Sequence, residues 1–306
     1  LAVWIGKPPL YMWLMSLAYQ AFGVNNFITR IWSPIFGALT LVFTYFLAKK
    51  LYNRYVGFAS AMVLGTFTTF YLFARHAMID VSFVFCIVAS FYFFVLSEKT
   101  EKINRYVILS GLFFGLALLT KQVEALLIPL IVFAYLVVSR RSIRFFFKKH
   151  FTIFWATGLL VLLPYLVYMF LSFGSNFWNW FVVYCGFLRT VSPLEGHVGG
   201  PLFYFIYLAN NERLWTIILP FAAGLCVFNV VAKRLKSDSL ILAWMGIVLL
   251  VFTVAQTKIS WYLLPAMPAF AIAISSLFYQ IANKINSYHK QKISLNLELD
   301  NNSTQN

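Results

Sequence analysis

Acidic residues are scarce in this 306-residue chain: nine Asp and Glu stand against 24 Lys and Arg, and all charged residues together reach only 11%. Soluble globular domains carry about 25% charge and about 45–50% apolar residues. With 61% hydrophobic residues, 20% aromatics and a mean hydropathy of +0.80, the composition excludes a soluble enzyme and predicts many apolar spans. Cysteine is almost as rare. Cys86, Cys185 and Cys226 lie in or near apolar segments without metal-ligand spacing, so there is no disulfide framework to argue from. The net charge of +15 does not point to a nucleic-acid partner, because the basic residues are scattered over short loops instead of gathered on one patch of a soluble domain. The chain also lacks an initial Met, a signal peptide and a charged leader, and from Leu1 it reads as a fragment without its true N-terminus.

What the chain does have is a run of apolar segments. Nine helices are expected, at about 31–48, 55–73, 81–97, 106–120, 122–138, 151–173, 214–232, 240–255 and 261–281. Nine crossings place loops 49–54, 98–105, 139–150, 233–239 and the tail from 284 on one face, which then holds 17 of the 24 basic residues. By the positive-inside rule that face is cytoplasmic. The remaining cations, Lys7, Arg30, Arg75, Lys121, Arg189, Arg213 and Lys258, face out together with Asp80, Glu124, Glu195 and Glu212. Ionisable groups held at a membrane surface are functional candidates. Segments 1–30 and 174–213, rich in Trp, Tyr, Phe, Gly and Pro, are expected to form interfacial helices on the same side. The fold class is therefore an all-α polytopic transmembrane helix bundle with extracytoplasmic interfacial helices. Residues 1–283 form its one membrane domain, and 284–306 form a polar cytoplasmic tail expected to be disordered.

Four constellations on the outer face could carry chemistry, and each has a plainer alternative. In Gly6-Lys7-Pro8-Pro9-Leu10 two prolines fix an extended turn, so Lys7 is either a rigidly placed phosphate ligand or a snorkelling lysine. In Arg75-His76-Ala77-Met78-Ile79-Asp80, Asp80 either caps the next helix or orients an acceptor and takes part in proton transfer, with Arg75 beside it. In the stretch from Tyr184 to Tyr204, Arg189 offers a planar fork for phosphate, and His197 sits among glycines and prolines that allow close backbone approach. In Thr257-Lys258-Ile259-Ser260-Trp261-Tyr262-Leu263-Leu264-Pro265, Lys258 and Tyr262 share a face if the helix begins early, or serve as a snorkelled lysine and an aromatic anchor.

The run GKPPLYMWLMSLAYQAFG, then ITRIWSPIFGALTLVFTYFLAKKLY, followed in order by RHAMIDVSF, GLALLTKQVEALLIP, FLRTVSP with GHVGGPLFYF, and KISWYLLPAMPAFAI, resembles the polyprenyl-phosphate-sugar-dependent glycosyltransferases with the C-type membrane fold. The similarity, from residue 6 to about 272, is to the bacterial group that includes lipid A aminoarabinose transferases and relatives of protein O-mannosyltransferases. The resemblance implies inverting transfer of a sugar from a polyprenyl-phosphate carrier at the outer face of the bacterial cytoplasmic membrane, without a cofactor. It implies that Lys7, Arg189 and Tyr262 contact the donor phosphate, with Lys258 assisting, that Asp80 is the catalytic residue remaining in this chain, and that Arg75 and His197 are candidates for substrate contact. The family's principal catalytic aspartate lies in a first outer loop upstream of Lys-Pro-Pro, so the chain as written is expected to be inactive alone. Two departures, Gly6 where a Glu is usual and Cys185-Gly186 where Glu-His is usual, remove the expected metal ligands and weaken the case for aminoarabinose as the sugar.

The partners implied are a polyprenyl-phosphate sugar donor, membrane lipid, and an acceptor that is lipid A, a glycan or a protein. A secondary transporter would favour discontinuous helices, polar groups at the midplane and related halves. The spans carry almost no ionisable residue at their centres and the halves do not resemble each other. A flippase or polymerase of lipid-linked saccharides, sharing the lipid phosphate, is the nearer alternative.

Overall fold

The computed structural model describes residues 6–98, 105–140, 149–188, 191–192 and 196–303, and among these every regular element is helical. Two short helices, α1 (Leu10–Phe22) and α2 (Asn26–Arg30), precede the bundle helices α3 (Trp32–Leu51), α4 (Arg54–Thr66), α5 (Thr68–Ala74), α6 (Ile79–Ser97), α7 (Arg105–Leu118), α8 (Leu127–Val138) and α9 (Lys149–Trp178). A π-helical segment, Asn179–Leu188, extends α9. Then come α10 (Phe203–Asn211), α11 (Arg213–Lys233), α12 (Lys236–Val254) and α13 (Met267–Ser303). All nine predicted runs are helical. Six helices are long and apolar enough to span a membrane, seven if the bent α4–α5 pair is one span, and two shorter apolar helices, Arg105–Leu118 and Val123–Val138, make up the nine. The chain is a polytopic all-α membrane protein.

The centre of the bundle is α6, whose apolar residues surround the whole helix, so that it is buried against neighbours on all sides. It packs between α3 and α7, and α7 in turn lies on α9. The α7–α9 contact is close because it is lined with small residues. A Cβ on Gly115 would lie 2.6 Å from Val161 Cβ and 2.8 Å from the Gly158 carbonyl, so only glycine lets the two backbones meet here. By contrast α11 exposes most of its apolar surface, as a lipid-facing helix does.

Three irregularities shape one end of the bundle. The α4–α5 pair bends by 72° at Phe67. The bend frees the Thr68 and Thr69 N–H groups, and both donate to the Glu212 carboxylate, at 3.0 and 2.6 Å. Helix α9 is kinked at Gly174, which takes a positive φ of 54°. Before α13 the chain forms a 3-10 turn, Ser260–Ala266, held by a bond from Trp244 Nε1 to the Pro265 carbonyl.

Helix α13 continues to Ser303. Its first half is anchored in the core, and propagating an existing helix costs little once the nucleus is formed, even through residues 281–292, which are exposed.

Candidate active site

The segments expected to face out meet at one end of the bundle, tied by hydrogen bonds between turns. The Lys-Pro-Pro turn docks on the end of α7, where Leu10 N–H donates to the Leu119 carbonyl (3.1 Å), and the Tyr165 hydroxyl reaches the Lys7 carbonyl (3.5 Å). Gln122 clamps the same turn: its Nε2 donates to the Gly6 and Phe181 carbonyls, while its buried Oε1 has no protein partner. On the other side of the end, Ser33 Oγ accepts from the Met78 N–H (3.0 Å) and is bonded to the Tyr11 hydroxyl (2.8 Å), which fixes the turn before α6. Lys258 N–H donates to the His197 carbonyl, and Thr257 Oγ1 to the Ser192 carbonyl.

At the junction of these turns lies a charged cluster. Asp80, in the first turn of α6 and buried, accepts an ion pair from Lys121 Nζ at 2.7 Å, and Glu124 Oε1 stands 3.7 Å from the same ammonium. The Tyr262 ring faces that ammonium from the other side, 4.8 Å away, and stacks on Phe252. Burial opposes the charge on Lys121, but Asp80 and then Glu124 more than reverse this, so its pKa is raised and it stays an ammonium at any physiological pH.

Beside the cluster opens an apolar cavity of about 440 Å³ between α8, α9, α12 and the π-helical segment. Leu126, Leu130, Trp155, Val251 and Phe252 line it, and Glu124 and Tyr262 give it one polar end. Cys185, one of the two departures noted in the sequence, forms part of its wall.

The predicted site residues divide. Asp80 and Tyr262 share the cluster, and half-buried Lys7 sits in the turn that abuts its Leu119–Gln122 wall. Lys258 is engaged elsewhere. Its ammonium donates to the carbonyls of Phe252, Thr253 and Ala255 at 2.5–3.0 Å and so caps the end of α12 instead of standing free for a phosphate. Arg75 folds back on its own helix over the Tyr71 ring, with a bond to the Tyr71 hydroxyl. His197 is half-buried with its ring near the edge of Trp261, 6.5 Å between centroids. Arg189 lies outside the described residues. Sequence reasoning placed Lys121 and Glu124 on the outer face without making them site residues. The signal was their i,i+3 spacing in Lys121-Gln122-Val123-Glu124 between two apolar runs. Among the described residues no three His, Cys, Asp or Glu side chains come together as a metal site.

Residues 6–194, more than half of the chain, match the profile of the family described as dolichyl-phosphate-mannose-protein mannosyltransferase. The chain belongs to that family. Among its relatives, an uncharacterized protein of Aquifex aeolicus is 27% identical over 275 residues, which is 88% of this chain and 52% of that protein. The undecaprenyl phosphate-alpha-4-amino-4-deoxy-L-arabinose arabinosyl transferase of Yersinia enterocolitica is 26% identical over 302 residues, 95% of this chain and 52% of its own length. The family fold is shared with ArnT from Cupriavidus metallidurans bound to undecaprenyl phosphate (TM-score 0.79, 17% identity, 89% of this chain and 50% of that one). It is shared also with the Archaeoglobus fulgidus oligosaccharyltransferase in the apo form (TM-score 0.70, 13% identity, 95% and 44%). The chain thus spans about half the length of the relatives it matches.

Proposed function

We propose that this chain forms the carrier-binding half of an inverting glycosyltransferase that moves a sugar from a polyprenyl phosphate to an acceptor at the outer face of the bacterial cytoplasmic membrane. The observation that carries the reading is the apolar cavity of about 440 Å³ whose single polar end, at Glu124 and Tyr262, lies next to the Lys-Pro-Pro turn that carries Lys7. An isoprenoid phosphate has that polarity, a long apolar tail behind one anionic head. The volume suits a small-molecule site and takes the head-proximal prenyl units, leaving the rest of the tail to the bilayer. The family and the undecaprenyl-phosphate enzymes among its relatives support the same donor class.

In this reading Lys7 and Arg189 hold the phosphate, which is the leaving group, and Tyr262 lines its approach. Fixed cations stabilise charge as it develops on the departing phosphate. Asp80 acts through Lys121, which it holds in place. Lipid A, a glycan or a protein hydroxyl would serve as acceptor, and the name of the Yersinia relative favours aminoarabinose as the sugar.

The test is thermal stabilisation of the detergent-solubilised chain by undecaprenyl phosphate, with Lys7→Ala and Arg189→Ala alongside. A ligand that binds only the folded state stabilises by about 2.7 kcal/mol at a hundredfold excess over Kd. Saturable stabilisation that both substitutions weaken is expected. Stabilisation indifferent to both would overturn the phosphate clamp.

A further inference from the structure

Lys7 is mounted on a backbone that is tied on both sides. Pro8 and Pro9 fix their own φ and bring no N–H groups, so the turn has to be held through its carbonyls and through the first N–H of α1. Leu10 N–H donates to the Leu119 carbonyl (3.1 Å). After the lysine, the Tyr165 hydroxyl of α9 donates to the Lys7 carbonyl (3.5 Å), and its ring meets Trp13 of α1, Phe177 and Phe181. Before the lysine, Gln122 Nε2 donates to the Gly6 carbonyl (3.3 Å).

The same amide nitrogen also donates to the Phe181 carbonyl of the π-helical segment (3.2 Å). One side chain thus joins two segments, 116 positions away on one side and 59 on the other. Both partners are carbonyl oxygens, which can only accept, so the NH2 group has to face them and the orientation of the amide is fixed. Gln122 is 4% exposed, and its enclosed Oε1 has no partner. An orphaned buried oxygen costs stability, which points to a task beyond holding the fold. The local backbone serves that task. With φ −37° and ψ −82°, Gln122 lies at the break between α7 and the 3-10 turn Val123–Leu126. Its neighbours Lys121 and Glu124 enter the charged cluster, while Gln122 itself serves the Lys-Pro-Pro turn.

We propose that Gln122 is the positioning residue of the phosphate site: its two N–H bonds set the Lys7 turn against the π-helical segment and so set where the Lys7 ammonium can stand. The inference rests on the carrier-phosphate reading given above. Gln122 does not touch the phosphate; it acts through Lys7. A lysine is long and flexible, so a fixed backbone mount narrows the space its ammonium searches, and such preorganisation is gained as affinity.

The experiment titrates undecaprenyl phosphate against the detergent-solubilised chain, with thermal stabilisation as the readout, in Gln122→Met, Lys7→Ala and the double variant. Methionine keeps the length and adapts its packing while removing both donors. With Lys7 present, Gln122→Met should weaken affinity by about tenfold. In the Lys7→Ala background the same change should alter affinity by less than about twofold, because the group it acts through is gone. Undecaprenol, which has the tail without the phosphate, should bind equally well with and without the substitution. An unchanged affinity in Gln122→Met would overturn the proposal. So would an equal loss in both backgrounds, or an equal loss for undecaprenol, since either is what a merely structural residue gives. Should Gln122→Met fail to fold, Gln122→Asn, one methylene too short to reach both carbonyls, gives the same comparison. No saturable binding to the unsubstituted chain, or binding indifferent to Lys7→Ala, would instead sink the carrier-phosphate reading, and this inference with it.

Discussion

Replacing Asp80 with Asn removes the closer of the two carboxylates that hold Lys121, and the geometry sets the cost. At an effective dielectric of about 20, the attraction across 2.7 Å is about 6 kcal/mol and that across 3.7 Å about 4.5 kcal/mol, before desolvation is subtracted. The ammonium is buried and cannot recover its hydration when Asp80 is neutralised. Breaking a buried pair typically costs about 3–5 kcal/mol, and Glu124 still provides the weaker attraction, so Asp80→Asn should lose about 3 kcal/mol. Lys121→Met leaves Asp80 as the uncompensated charge and should cost a similar amount. Joined in one chain, the two changes should show a coupling of about 2 kcal/mol or more, because neither partner is then left facing an absent one. Reversible unfolding by SDS titration in mixed micelles, followed by tryptophan fluorescence, measures all four species. Single costs under about 1 kcal/mol that add within about 0.5 kcal/mol would refute the reading of a buried, mutually dependent pair.

Other positions give distinct outcomes. Lys258→Met should cost about 1–3 kcal/mol, because three carbonyls at the end of α12 lose their donor. It should leave undecaprenyl-phosphate affinity unchanged, and weaker affinity at unchanged stability would return Lys258 to the phosphate. Glu212→Gln should cost about 1 kcal/mol by weakening the cap on α5, with faster hydrogen exchange at the Thr68 and Thr69 amides as the readout. Gly115→Leu should lower the thermal midpoint by forcing α7 away from α9, at a cost of about 2 kcal/mol or more, since its Cβ would strike Val161 and the Gly158 carbonyl.

The helices were legible because a bilayer demands long apolar runs and satisfied backbone groups, and both leave marks in composition. The breaks were not. Phe67 is neither proline nor glycine, and its bend is sustained by Glu212, a residue about 145 positions away. The same distance problem hid the centre of the site. Lys121 is plainly a cation in an outer turn, but its pairing with Asp80 depends on how two turns on different helices come to one level. Lys258 shows the reverse case, a contact that was legible locally. It follows the last residue of α12, Val254, by four positions, and lysines near helix ends commonly serve the final carbonyls. That local rule, applied before the family resemblance, would have assigned it the capping role.

The charges in the cluster also decide where a phosphate can sit. Asp80 and Glu124 carry two negative charges against the one positive charge of Lys121, so this trio is negative as a unit. A phosphate brought into its middle would meet two carboxylates for one ammonium already bound by both. For the proposed phosphate the favourable place is therefore outside the trio, at the Lys-Pro-Pro turn, which abuts the Leu119–Gln122 wall and whose half-buried Lys7 has no acidic partner among the described residues. Tyr262 stands between the two regions, with its ring against Lys121 and its edge on the apolar cavity. Under the proposed function the tasks would be separate: Lys7 would attract the head group, the cavity would take the tail, and the Asp80–Lys121–Glu124 trio would hold the wall between them rigid and repel a phosphate that slides too deep.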